Sequence, residues 1–173
     1  MKLFWYFYFY SFLGFLLEVV YARVIGLKKV DRKCRLLLPL CPVYGIGATA
    51  IVSLPQTIQS SPILLFFAGG ILATLSEYLA ALFYEKVWRV KFWDYTTLPG
   101  NLQGRVCLPF SLIWGALAVL ICHSLHPGVA QFISDLPNGL LVPLTLVYAV
   151  DLVLTGCILR QTNSTSALRW YLV

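Results

Sequence analysis

Five stretches of the chain are almost wholly apolar, and short polar or Pro/Gly-bearing links divide them. They run roughly over residues 3–24, 36–54, 62–84, 106–125 and 139–159. A helix needs about 20 mostly apolar residues to cross about 30 Å of hydrocarbon, and each stretch approaches that length. The pattern predicts an all-α fold: a polytopic membrane bundle of five transmembrane helices, forming a single integral membrane domain over residues 1–173. The first stretch has the look of a signal peptide, with Lys2 and then an apolar run to Leu17. Glu18 ends that run and no small-residue cleavage pattern follows, so it is read as a retained span.

Composition agrees. Of 173 residues 60% are hydrophobic and 12% charged, with a mean hydropathy of +0.81. So few charges cannot cover a water-facing surface. The lipid bilayer is therefore the first partner. The spans use up the chain, leaving no room for a soluble catalytic or ATPase domain, and no G-x-x-x-x-G-K-[ST] loop occurs.

The net charge of +6 is informative through its placement, and it orients the chain rather than pointing to nucleic acid. The first link carries Arg23, Lys28, Lys29, Arg32, Lys33 and Arg35. The third carries Lys86, Arg89, Lys91 and Arg105, and the tail has Arg160 and Arg169. With five alternating helices, all the basic residues except Lys2 fall on one side. The positive-inside rule then puts the N-terminus outside and the C-terminus in the cytoplasm. The third link also holds Trp88, Phe92, Trp93 and Tyr95, a mixture suited to the cytoplasmic membrane surface.

The octet LPLCPVYG (residues 38–45) opens the second stretch, and LPFSLIWG (108–115) opens the fourth. Leu, Pro and Gly recur, and four further positions are close in kind. Each octet follows a basic link and an acid-bearing span, with Glu18 in the first unit and Glu77 in the second. The order predicts a parallel internal repeat of helix pairs, 1–2 and 3–4, with an unpaired fifth helix carrying Asp151. Pro39 and Pro109 suit a helix's first turn, and Gly45 and Gly115 suit close helix packing. Pro39 and Pro42 together predict an extended or broken entry to the second span. Such backbone is tolerated at membrane depth only when buried in protein or beside a wet cavity.

Ionisable groups within spans cost on the order of 3 kcal/mol on insertion scales, so they are candidate functional groups. Glu18 lies five residues before Arg23 and is open to two readings, as an inner-interface residue or partner of a basic group, or as a pocket group. Glu77 and Asp151 lie deeper and must face the bundle or water. Tyr44 and Trp114 are candidate walls of an acid-lined cavity. No catalytic residue is assigned, since no hydrolase or metalloprotease signature occurs. No metal or cofactor is assigned either. His123 and His126, with Asp135, are read as water-facing groups at a loop start. The cysteines at 34, 41, 107, 122 and 157 form no C-x-x-C pair and are read as small apolar residues.

The segments GFLLE (14–18), LCPVYG (40–45), LSEYLAALFYEK (75–86) and FWDYTTLPGNLQGRVCLPFSLIWG (92–115) resemble those of the bacterial ABC-transporter type IV permease-like membrane proteins. The likeness runs from about Gly14 to Arg160, departing at Leu38, where the family pattern has Gly. It implies a permease subunit of the bacterial inner (plasma) membrane that relies on a separate ATPase or another membrane subunit. It also draws attention to the loop residues Asp94, Asn101, Gly104 and Arg105, with Asp94 anchoring the loop to Arg105 or Arg89.

The expected function is a small transport-related permease-like protein, not an enzyme, with an acid-lined polar cavity and no ATPase of its own. One chain of five helices encloses little volume, so a homo-oligomer is expected. Two other classes fit the same residues: an intramembrane enzyme acting on a lipid or lipid-linked substrate, with Arg105 as anion anchor, and a non-catalytic assembly subunit.

Overall fold

The structure, a computed structural model, describes residues 1–26 and 34–168. Lys28, Lys29, Arg32 and Lys33 of the first basic link and Arg169 of the tail lie outside the described residues. Helix α1 covers Lys2–Val24, α2 Pro42–Val52, α3 Gln56–Gln59 and α4 Pro62–Phe83. A π-turn, Tyr84–Trp88, continues α4. Helix α5, Leu108–Leu120, runs through a second π-turn, Ile121–Leu125, into α6, His126–Ser134. Helix α7 covers Leu141–Thr162. Among the described residues there is no strand, and Leu102 and Val106 form a lone antiparallel bridge.

Four rods are long and apolar enough to span a membrane: Lys2–Val24, Pro62–Trp88, Leu108–Ser134 and Asn138–Thr162. The second predicted span is not a fifth such rod. Its helical part has 11 residues, about 16 Å at 1.5 Å per residue, or roughly half the hydrocarbon thickness. Residues 36–41 enter α2 as non-helical backbone, and Pro42 stands in its first turn.

The outward faces are apolar. Ile63, Phe67, Ile71, Leu75 and Leu79 recur every four residues along α4, all exposed, so they form one lipid-facing stripe. Contacts between helices use small residues. A methyl group on Gly70 would stand 3.3 Å from Gly115 Cα, and one on Gly69 would strike Ala118. Without a hydrophobic drive between helices in lipid, such close backbone approach supplies the packing energy.

Two links differ from expectation. The fourth is largely helical, so His123 and His126 sit on a continuous rod rather than at a loop start. His126 Nδ1 lies 2.9 Å from Tyr10 Oη on α1, and the Tyr6 ring meets it edge-on at 4.9 Å. The third link does not simply line a membrane surface. Tyr84, Trp88 and Val90 are buried with Leu36, Leu159 and Leu168. Phe92 and Trp93, partly buried, pack against the same cluster. Gly156 on α7 makes room for Trp88, whose Nε1 would lie 2.7 Å from a methyl group there.

Candidate functional site

Glu18 lies on α1 one turn after Gly14. A side chain on Gly14 would collide with the Tyr44 side chain, so the glycine lets Tyr44, early in α2, pack directly against α1. The Tyr44 hydroxyl then donates to Glu18 Oε1 at 2.6 Å. Glu77 on α4 is 5% exposed. Trp114 Nε1 on α5 donates to its Oε2 at 2.8 Å, and the Tyr95 hydroxyl donates to its Oε1 at 2.9 Å. Burial, and then the neighbouring Glu77, hold the Tyr95 hydroxyl well above its ordinary pKa, so it stays a donor.

The two carboxylate groups are linked through their aromatic partners. The Tyr44 and Trp114 rings meet edge-on, 5.5 Å between centroids. Tyr95 stacks on Phe110 at 4.9 Å, and Phe110 lies 6.2 Å from Trp114. Glu18, Tyr44, Trp114, Glu77 and Tyr95 therefore form one contiguous set drawn from α1, α2, α4, α5 and the third link. Two carboxylates held by aromatic donors can accept a cation or exchange a proton.

The glycines that end the octets have matching surroundings. A methyl group on Gly45 would stand 2.5 Å from the Phe7 carbonyl oxygen, and one on Gly115 would stand 2.7 Å from that of Phe66. Phe7 precedes Glu18, and Phe66 precedes Glu77, by eleven residues.

Asp151 bonds to a different set. It is fully buried and accepts from the backbone N–H of Leu37 at 2.9 Å and of Leu38 at 3.2 Å. Its neighbour Thr155 accepts from Leu36 N–H at 3.0 Å. Three successive amides of the extended entry to α2 thus end on α7. Pro39 follows, exposed, and the N–H of Cys41 donates to the Ser11 carbonyl at 2.9 Å. Non-helical backbone in a membrane needs such acceptors, because lipid offers none.

Arg105 is committed to Glu85, with Nε and Nη2 at 3.0 and 2.6 Å from Oε2. Its Nη1 reaches the Tyr78 hydroxyl at 3.3 Å and also donates to Gln103. Asp94 pairs with neither Arg105 nor Arg89. It accepts from Thr96 N–H at 3.0 Å and from Lys91 Nζ at 3.4 Å, while the Arg105 guanidinium is taken by Glu85. Asn101 holds the rest of the loop, donating to the carbonyls of Thr96 and Leu98 and accepting from Gly104 N–H. Gly104 adopts φ +71°, and a side chain there would meet Asp94 and Thr96 at 2.7 Å. Pro109 stands in the first turn of α5.

Three participants were not singled out by sequence reasoning. Tyr95 is one; it looked like an interfacial aromatic, and its nearness to the N-L-x-G-R block was the available signal. Thr155 follows Asp151 by one turn, a spacing that signals a shared helix face. Arg35, read as an orienting charge, is 3% exposed. Its guanidinium lies 5.2 Å from the Trp88 ring centroid and 5.0 Å from that of Tyr148. Its Nη2 donates to the Tyr148 hydroxyl at 2.7 Å.

Among the described residues no three His, Cys, Asp or Glu side chains gather as metal ligands. Two apolar grooves, of about 300 and 450 Å³, lie away from the acids, one beside Trp5 and Phe132 and the other beside Pro62 and Phe66. Neither a curated protein nor a solved structure matches the chain. Residues 5–158 match the family described as "Putative ABC-transporter type IV", which accords with the four apolar rods and the W-D-Y to W-G block that supplies Tyr95 and Trp114, and the chain belongs to that family.

Proposed function

We propose that this membrane protein is a permease-like subunit whose cargo, or a coupling cation, is received between Glu18 and Glu77. Tyr44, Trp114 and Tyr95 are the walls, and their donors occupy the carboxylates until a cation replaces them. The observation that carries this reading is the aromatic bridge between the two acids. Two carboxylates joined in this way attract a cation by charge. Asp151 is assigned a different part, as anchor of the α2 entry.

In the same reading the two units are parallel repeats, related by a pseudo-two-fold axis along the membrane normal. The Tyr44–Glu18 and Trp114–Glu77 bonds and the Gly45–Phe7 and Gly115–Phe66 approaches support this. The N-terminus lies outside in this reading, and exposed Lys86, Arg89 and Lys91 form the cytoplasmic face that a separate ATPase would meet. A second copy of the chain would enlarge the enclosed volume.

The test is binding to the purified full chain in lipid nanodiscs, using tetramethylammonium, choline and spermidine as probes. At least one should raise the melting temperature of the wild type. Glu77→Gln and Glu18→Gln should each weaken that shift and the double variant should remove it. Equal shifts in wild type and double variant would sink the proposal.

A second reading has its own support, since both oxygens of Glu77 already have donors within the chain. If the protein is an assembly subunit, Glu77→Gln lowers stability, no cation binds, and a stoichiometric membrane partner co-purifies.

A further inference from the structure

Two sulfur atoms meet beside the α2 entry. Cys34 Sγ lies 2.9 Å from Cys41 Sγ, and the two residues bracket the extended segment. Their placement is held from both sides. Leu36, Leu37 and Leu38 donate their amides to Thr155 and Asp151 on α7, and Cys41 donates its amide to Ser11 on α1. A disulfide bond is about 2.05 Å long, so about 0.9 Å of approach separates the pair from bonding. Cys34 is half-buried and Cys41 buried. An oxidant therefore reaches Cys34 first, and Cys41 is placed to resolve the product.

We propose that Cys34 and Cys41 are a redox-active dithiol, oxidised by small peroxides. The Cys34 sulfur attacks one peroxide oxygen, the O–O bond breaks, and water leaves, giving a sulfenic acid on Cys34. The Cys41 sulfur then attacks the Cys34 sulfur. The S–O bond breaks, and the hydroxide leaves as a second water with the Cys41 proton. Two electrons pass from the sulfurs to hydrogen peroxide, and one S–S bond forms. The disulfide ties the two ends of the entry segment together. Tyr44 follows Cys41 by three residues, so the oxidised state fixes the segment that carries the Glu18 donor. On a cytoplasmic face the thiol pool keeps the pair reduced between oxidising episodes. The proposal does not depend on which cargo, if any, the carboxylates accept.

The test uses the full wild-type chain in nanodiscs, exposed to hydrogen peroxide, then denatured, alkylated and mapped by mass spectrometry. Cys34 and Cys41 should lose alkylation together, and the linked peptides should be lighter by two hydrogens. Dithiothreitol should restore both, and no disulfide should join either of them to Cys107, Cys122 or Cys157. In Cys41→Ser, Cys34 should stop at a sulfenic acid that dimedone traps. Retained alkylation of both cysteines would overturn the proposal, as would oxidation of Cys34 without Cys41 or a disulfide between two chains.

Discussion

Replacing Asp151 by Ala removes the acceptor for two successive backbone amides, those of Leu37 and Leu38. In water the freed N–H groups would find new partners; in a bilayer they do not. Hydrogen bonds measured inside membrane proteins are worth less than unsatisfied groups in a dry core suggest, so about 1 kcal/mol for each amide is a conservative figure. Together the two come to about 2 kcal/mol, or roughly 30-fold in the equilibrium between a docked and an undocked entry segment. Cys41, buried at the end of that segment, reports on it. Under reducing conditions its rate of alkylation by a small maleimide in nanodiscs should rise roughly 30-fold in Asp151→Ala. Asp151→Asn keeps one acceptor oxygen and loses the other, so its rise should be about fivefold, corresponding to about 1 kcal/mol. A wild-type rate in Asp151→Ala would refute the anchoring role. An equal effect of Ala and Asn would show that charge, rather than the number of acceptors, holds the segment.

The remaining predictions concern helix packing and the third link. Gly115→Ala and Gly45→Ala each push a methyl group against a backbone carbonyl, that of Phe66 or Phe7, which cannot rotate away. Each should cost about 1–3 kcal/mol, read as a lower melting temperature in detergent, whereas Gly128→Ala, with nothing nearby, should change little. The Asp94 carboxyl is held below its ordinary value of 3.8, chiefly by the Thr96 amide. Because the folded-state value is the lower one, its contribution is fully present above the ordinary value and is lost as pH falls through the folded one. Hydrogen exchange at the Thr96 amide, corrected for intrinsic rates, should therefore speed up only in acid, and Asp94→Ala should abolish that dependence.

Much of the candidate site was legible because its parts sit at fixed offsets along single helices. The octets placed Tyr44 and Trp114 at the same step before a glycine, each after an acid-bearing span. In the fold Tyr44 donates to Glu18 and Trp114 to Glu77. Helical periodicity is local, so the chain carries that information openly. Asp151 was visible as a buried acid, but its partner was not, because Leu37 is 114 residues away. Arg35 and the Cys34–Cys41 contact were hidden for a related reason. A basic residue in a basic link and two cysteines without motif spacing look ordinary until the segment between them is folded back onto α7.

By itself, the sequence determined the solvent this protein lives in and where its long helices run. Burial in hydrocarbon is decided residue by residue, and its cost accumulates along the chain. Pro39 and Pro42 already marked an extended entry to the second apolar stretch, but only the tertiary structure decided that the helix behind it is half a span and where the entry's amides end. Backbone groups left open by Pro39 and Pro42 had to find acceptors on other helices, and no local rule says which. The same long-range requirement drew the aromatic third link into the protein and separated Asp151 from the pair formed by Glu18 and Glu77.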